Sequence, residues 1–413
     1  MNIWLVNPFD PLPGDPEQEG RYASLIRMLI ARGHNVTWWT SSFSHRFKKT
    51  VNQGAITTIC RQIGLDVTFL NVPAYFRNVG LARLWNHYCL AREFSRHAAK
   101  HSNRPDVIIA SVPPPALAVA VGRFARSINA RFIVDIQDLW PETFLRLAPT
   151  ILQPLAKLIL TPMQHTACKA YRLADAIVGV GDGYIERAVE LTDSKAVTRT
   201  IPIGIDLTNF DAAVKDGPSE KFTKPQDELW LAYTGSLNRS YDCLTIIQAF
   251  AHLQRRTQRS MKLFLTGRGE LTEQAQTLIR QYGLTNVTLT GFLDFPQWAY
   301  LLSQCDIGFN ASFPEAMIFM PNKMFYYMAG GVAILNTIPG QCSQIVQGSH
   351  CGLDYQAGNV EDCARVMEEL IAQPERLSEM KHASRSLAES TYDRKILYNQ
   401  YADLIENLFK SNH

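Results

Sequence analysis

Residues 1–39, MNIWLVNPFDPLPGDPEQEGRYASLIRMLIARGHNVTWW, begin with a short apolar run, Ile3–Val6, and end with another, Val36–Trp39. Between the runs, Leu25, Ile26, Leu29 and Ile30 recur at helical spacing within Gly20–Gly33. Gly33 supplies a helix stop just ahead of the second run. Both runs are continuous rather than alternating, as expected of parallel strands covered on both faces. The stretch reads as a β-α-β unit, and its recurrence decides the fold class.

Moving outward, Val67–Leu70, Val107–Ala110, Phe132–Val134 and Ala176–Val180 repeat the pattern in the first half. Leu229–Tyr233, Met261–Leu265, Val287–Leu289, Ile307–Phe309 and Val332–Leu335 repeat it in the second. Helical segments such as Leu244–Leu253 and Leu271–Tyr282 lie between them. The polar stretch Asp206–Glu228, with Gly217, Pro218 and Pro225, reads as a linker. The expectation is an α/β protein of two Rossmann-like, doubly wound domains facing a central cleft. The first would span residues 1–205 and the second 206–389. The last segment, about 390–413, has Ile396, Leu397, Tyr401, Leu404, Ile405, Leu408 and Phe409 on one apolar face. It needs a surface to cover, in its own domain or the first.

The length of 413 residues agrees with two or three domains, and 46% hydrophobic residues provide ample core material. The net charge of +3 argues against a nucleic-acid partner. It conceals a division. Residues 1–200 hold 23 Lys and Arg against 15 Asp and Glu, whereas residues 201–413 hold 18 against 23. The start of the chain lacks the pattern of a signal peptide. No apolar window reaches 18 residues, and Pro113–Pro115 interrupt the nearest, Val107–Gly122. The eight cysteines form no C-x-x-C pair and read as reduced thiols of a cytoplasmic protein, with no metal site expected.

In open parallel sheets, chemistry collects after the strands. After the first strand, the Gly- and Pro-rich run Asn7–Tyr22 ends at a helix start. There Gly20 would let an anionic ligand approach the helix amides, though a plain surface loop fits equally well. After Phe132–Val134 comes Asp135-Ile-Gln-Asp138-Leu-Trp140-Pro-Glu142. Asp138 could orient or deprotonate an acceptor hydroxyl, while Asp138 and Pro141 also suit an ordinary helix N-cap. Gly179-Val-Gly181-Asp-Gly183 departs from the spacing of a dinucleotide fingerprint and is set aside. In the second half, Thr234-Gly235-Ser236-Leu-Asn-Arg239, Thr266-Gly267-Arg268 and Thr290-Gly291-Phe292 are strand-end glycine turns. The first, with Arg239, has the form of a phosphate cradle. Lys323 is the sole charge between Ala316 and Cys351, which suits a lysine serving an anion.

These segments carry a resemblance. Arg32-Gly-His-Asn-Val36, Asp138-Leu-Trp-Pro-Glu142, Ile203-Gly-Ile-Asp206, Tyr233-Thr-Gly-Ser236, Leu265-Thr-Gly-Arg-Gly-Glu270, Asn286-Val-Thr-Leu-Thr-Gly291 and Pro321-Asn-Lys-Met-Phe-Tyr-Tyr-Met-Ala-Gly330 occur in this order. Together they resemble glycosyltransferase family 4, in particular its bacterial polysaccharide enzymes with a D-L-W-P-E segment. The resemblance implies a GT-B fold and a retaining transfer from a nucleotide sugar, UDP- or GDP-linked, with neither cofactor nor metal. It implies that Arg239 and Lys323 hold the donor diphosphate, with Gly235, Ser236, Gly267, Arg268, Phe292 and Tyr326 around the donor. Gly20, Arg21, Asp138, Trp140 and Glu142 would face a lipid-linked or oligosaccharide acceptor. The final helix would cross back to the first domain. One departure is that Tyr326 stands where the family often has a glutamate for the donor ribose; Ile318 holds the position eight residues earlier, near Glu315.

The basic apolar segments Thr143–Ala174 (Arg146, Lys157, Lys169, Arg172) and Asn78–Lys100 (Arg83, Arg92, Arg96, Lys100) suit an anionic membrane surface or an ordinary sheet-covering helix. With the resemblance, they imply a peripheral enzyme on the inner face of the cell membrane. Two alternatives are a nucleotide-sugar epimerase of similar fold and a catalytically altered binding partner.

Overall fold

The computed structural model describes residues 1–11, 20–145, 150–218 and 222–410. Residues 12–19 of the first glycine-rich loop, Arg146 of the basic segment and residues 219–221 of the expected linker lie outside them. The chain divides into two compact units, Met1–Pro202 with Leu397–His413, and Ile203–Ile396.

The first unit contains β1 (Asn2–Val6), β2 (Asn35–Ser41), a small antiparallel pair β3 (Phe43–Ser44) and β4 (Lys49–Thr50), β5 (Asp66–Leu70), β6 (Val107–Val112), β7 (Arg131–Ile136), β8 (Ala176–Gly179) and β9 (Val197–Thr200). Seven of these form one parallel sheet in the order β5-β2-β1-β6-β7-β8-β9. Every residue of β6 is buried, which accounts for its unbroken apolar run. Trp4 and Trp39 pack with ring centroids 4.8 Å apart, and Phe124 stacks on Trp4 at 5.6 Å. From Leu397 onward the final helix (Arg394–Lys410) belongs to this unit. It buries Leu397, Tyr398, Tyr401, Ile405 and Leu408. Arg32 fastens it through Asp403 (2.7 Å) and Glu406 (3.2 Å).

The second unit contains β10 (Leu229–Thr234), β11 (Met261–Thr266), β12 (Val287–Gly291), β13 (Ile307–Asn310), β14 (Ala333–Asn336) and β15 (Gly352–Asp354). They form a parallel sheet in the order β12-β11-β10-β13-β14-β15. Strand order reverses between β1 and β6 in one sheet and between β10 and β13 in the other, and ligands bind beyond the carboxyl ends at such points.

The structure corrects the linker reading. Leu207–Asp216 is a helix within the second unit, capped by the Asp206 carboxylate accepting from the Asn209 amide at 2.9 Å. Leu207, Phe210 and Ala213, three residues apart, are its buried face. Among the described residues no helix is long and apolar enough to cross a membrane.

Candidate active site

The second unit gathers its glycine turns at the β10 end. The Gly235 amide donates to the Thr266 carbonyl (3.0 Å), and the Gly267 amide to the Gly291 carbonyl (2.8 Å). Gly235 and Gly267 have φ of +126° and +122°. A Cβ on Gly267 would fall 2.0 Å from the Gly235 carbonyl oxygen, so this glycine is required for the two turns to lie against each other. The loop after β13 closes onto the loop after β10, the Phe313 amide and Ser312 Oγ both donating to the Ser240 carbonyl.

Under this switch point runs the helix Asn322–Ala329. Its Tyr327 hydroxyl accepts from the Thr234 amide at 3.0 Å and anchors the helix beneath β10. Lys323, on the first turn, is 9% exposed. Its Nζ lies 4.4 Å from the Tyr233 ring centroid and 4.1 Å from that of Tyr241. It has no hydrogen-bond partner. A Cβ at Gly235 would stand 3.7 Å from it, so the ammonium looks onto the glycine turn. Burial pushes the Lys323 pKa down to about 7. Two ring faces offset part of the lost hydration but supply no counterion. An anion at Gly235 would. Tyr233 and Tyr241 were not among the residues singled out from sequence; their places on either side of the Gly235 turn were the available signal.

The remaining donor-side candidates are more dispersed. Arg239 does not join Lys323 as a buried cation: its side chain is 85% exposed, with Glu270 3.8 Å away. The Ser236 carbonyl accepts from the Tyr233 hydroxyl at 2.8 Å. Arg268 is exposed beside Gly291, and Phe292 is 68% exposed. Tyr326 packs edge-on against Trp298 at 4.6 Å, and burial raises its hydroxyl pKa. Trp298 Nε1 in turn donates to Thr234 Oγ1 at 2.8 Å. Glu315 is exposed on the single turn Pro314–Ala316.

The first unit reassigns several candidates. The helix start at Gly20 already has an anion, because Asp10 Oδ2 accepts from the Tyr22 amide at 2.7 Å. A Cβ on Gly20 would lie 2.1 Å from that oxygen, so Gly20 admits Asp10. Arg21 is buried and bidentate to Asp135 (3.0 and 2.9 Å), and it also donates to the Ile201 and Pro202 carbonyls. Burial opposes its charge, yet Asp135 more than offsets this and raises its pKa. Arg21 therefore ties β7 to the chain beyond β9, with its guanidinium engaged by partners within the unit. Glu142 is likewise buried, accepting from Arg187 Nε at 3.2 Å. Trp140 is buried under Arg83, whose guanidinium carbon lies 4.6 Å from its ring centroid. Arg83, one of the basic residues of the Asn78–Lys100 segment, is thereby packed on a ring and only partly exposed. Asp138, partly exposed after β7, accepts from the Leu139 amide (2.9 Å) and Thr143 Oγ1 (3.0 Å).

Two family models match the chain. "Glycosyl transferase 4-like domain" covers residues 19–204, and "Glycosyl transferases group 1" covers 215–387. Among curated proteins, none matches it in sequence. Among solved structures, it resembles sucrose-phosphate synthase from Thermosynechococcus elongatus (16% identity, 99% of each chain, TM-score 0.73). It also resembles a glycosyltransferase from Rickettsia africae (14% identity, 99% of this chain and 98% of that one, TM-score 0.69). A third is Anabaena HepE in complex with UDP and glucose (15% identity, 98% of this chain and all of that one, TM-score 0.66). At these identities the structural likeness establishes the fold, and the family models identify the kind of protein that carries it.

Proposed function

The chain is a glycosyltransferase of the GT-B type, and on that premise we propose that it is a retaining, metal-independent enzyme of cell-surface polysaccharide synthesis. It would move a sugar from a UDP- or GDP-sugar to a lipid-linked or oligosaccharide acceptor at the inner face of the membrane. The observation that carries the donor assignment is Lys323, a buried ammonium with no counterion facing a glycine turn at a switch point. A diphosphate is the anion that this position suits. HepE, a structural relative, has been solved with UDP, UDP-glucose, and UDP with glucose.

In the reaction, the bond between the sugar C1 and the diphosphate oxygen breaks as the acceptor hydroxyl oxygen bonds to C1 on the same face. The acceptor proton passes to the departing phosphate oxygen. Lys323 stabilises the charge that grows on the diphosphate, held in place before the reaction begins. Exposed Arg239 reaches the same phosphates from solvent once the donor is bound, and Tyr326 offers one hydroxyl to the ribose. Asp138 orients the acceptor hydroxyl. Lys323→Ala should lower turnover by about a hundredfold or more, and the product's C1 configuration should match the donor's. Near-normal turnover in the variant would overturn the site, and an inverted product would overturn the mechanism. Conversion of the donor sugar without any acceptor would favour the epimerase reading.

A further inference from the structure

The first unit places a second group of basic side chains at the carboxyl ends of its strands, apart from Lys323. His45 follows β3, Lys48 lies between β3 and β4, and Arg83 and His87 project from the helix Leu81–Ala98. Lys48 Nζ is 3.1 Å from His45 Nδ1 and 2.7 Å from Asn78 Oδ1. His45 Nδ1 is also 2.6 Å from the Tyr75 hydroxyl. Arg83 donates to the Asn78 carbonyl at 2.6 Å, while its buried Nε has no partner. His87 is 4% exposed, and its Nε2 also lacks a partner. Its ring is held between Phe9 (5.5 Å) and Trp140 (5.0 Å).

Among the described residues, no carboxylate stands within ion-pair distance of any of the four. Tyr75 and, among carboxylates, Asp138 act on the Arg83 charge. Burial, together with the neighbouring cations, pushes His45 down to about 4 and His87 to about 3, and it lowers Lys48 and Arg83 as well. At neutral pH both histidines are therefore uncharged. Lys48 and Arg83 carry the charge with no carboxylate paired to them, and two buried nitrogens are unpaired, an arrangement costly when empty. An arriving anion would relieve both costs. The rings of Trp140 and Tyr75 hold the cations in place, with Lys48 4.8 Å from the Tyr75 centroid.

We propose that His45, Lys48, Arg83 and His87 bind a phosphate group, and that this is the phosphate of the acceptor. Only the second clause rests on the transferase reading. Phosphate suits the site because several donors of different geometry converge there and no planar carboxylate fork is offered.

The test uses the full chain with Lys323→Ala, so that the donor site cannot report. Geranyl phosphate and glucose 1-phosphate are titrated in calorimetry, against the same chain carrying Lys48→Glu. At least one probe should bind, and Lys48→Glu should weaken it at least tenfold. Geranyl phosphate alone would identify a lipid phosphate, glucose 1-phosphate alone a soluble phospho-sugar, and both a site that reads the phosphate itself. Binding of neither probe, or binding unchanged by Lys48→Glu, would overturn the proposal. Lys48→Gln replaces the charge reversal should that chain fail to fold. UDP titrated into the chain with only Lys48→Glu should bind as in the wild type, so a failed donor assignment and a failed phosphate site give different results.

Discussion

Lys323 is the residue whose energetics differ most from those of a surface lysine. Its pKa falls from 10.5 to about 7 because burial disfavours the charged form. The unfolded chain therefore binds the extra proton between these values, and stability rises with pH across that window. The burial cost is complete below pH 7 and gone above about pH 10.5. Lys323→Met should accordingly raise the melting midpoint of the unliganded protein at pH 6, with a gain that shrinks by pH 10. A variant less stable than wild type at pH 6 would show that Lys323 is a structural residue. Sequence reading reached Lys323 because a lone charge in a long uncharged segment is conspicuous. It did not anticipate the pairing of Arg21 and Glu142, whose partners Asp135 and Arg187 lie 114 and 45 residues away, a separation no local pattern reveals.

At the scale of elements, the apolar runs located eleven strands, because a strand buried on both faces leaves an unbroken signature. Short or exposed strands escaped. β9 alternates intermediate and exposed residues, and β15 has three residues with only one fully buried. The helix Leu207–Asp216 was hidden by Pro and Gly just beyond it, although its cap and three-residue spacing were present. The basic segment is now more sharply defined. The helix Gln153–Leu173 has no acidic residue, and Leu155, Leu158 and Ile159 stand exposed on it beside Lys157. Ile151, 87% exposed, continues the patch. Water is a poor solvent for such a surface, and an anionic bilayer suits both its apolar and its basic components. Replacing Leu155, Leu158 and Ile159 with Ser should abolish cosedimentation with vesicles rich in anionic lipid. Retained binding would remove this helix from the membrane contact.

For the whole molecule, the near-neutral total separates into a basic first half and an acidic second half. The basic half contains the exposed apolar helix and the cluster around Arg83. Among the described residues, the acidic half holds one buried unpartnered lysine, at the β10 end. This division is the one expected of the proposed donor site in one unit and the proposed anionic acceptor and membrane surface for the other. The central claim is that Lys323 takes the donor diphosphate, and the pH dependence of UDP binding tests it most directly. A lysine that must be charged to bind, with a free pKa of about 7, weakens UDP roughly fiftyfold between pH 7 and pH 9. The account predicts that loss in the wild type, with weaker and pH-insensitive binding over this range in Lys323→Ala. Equal affinity at the two pH values in the wild type, or the same decline in both proteins, would contradict it.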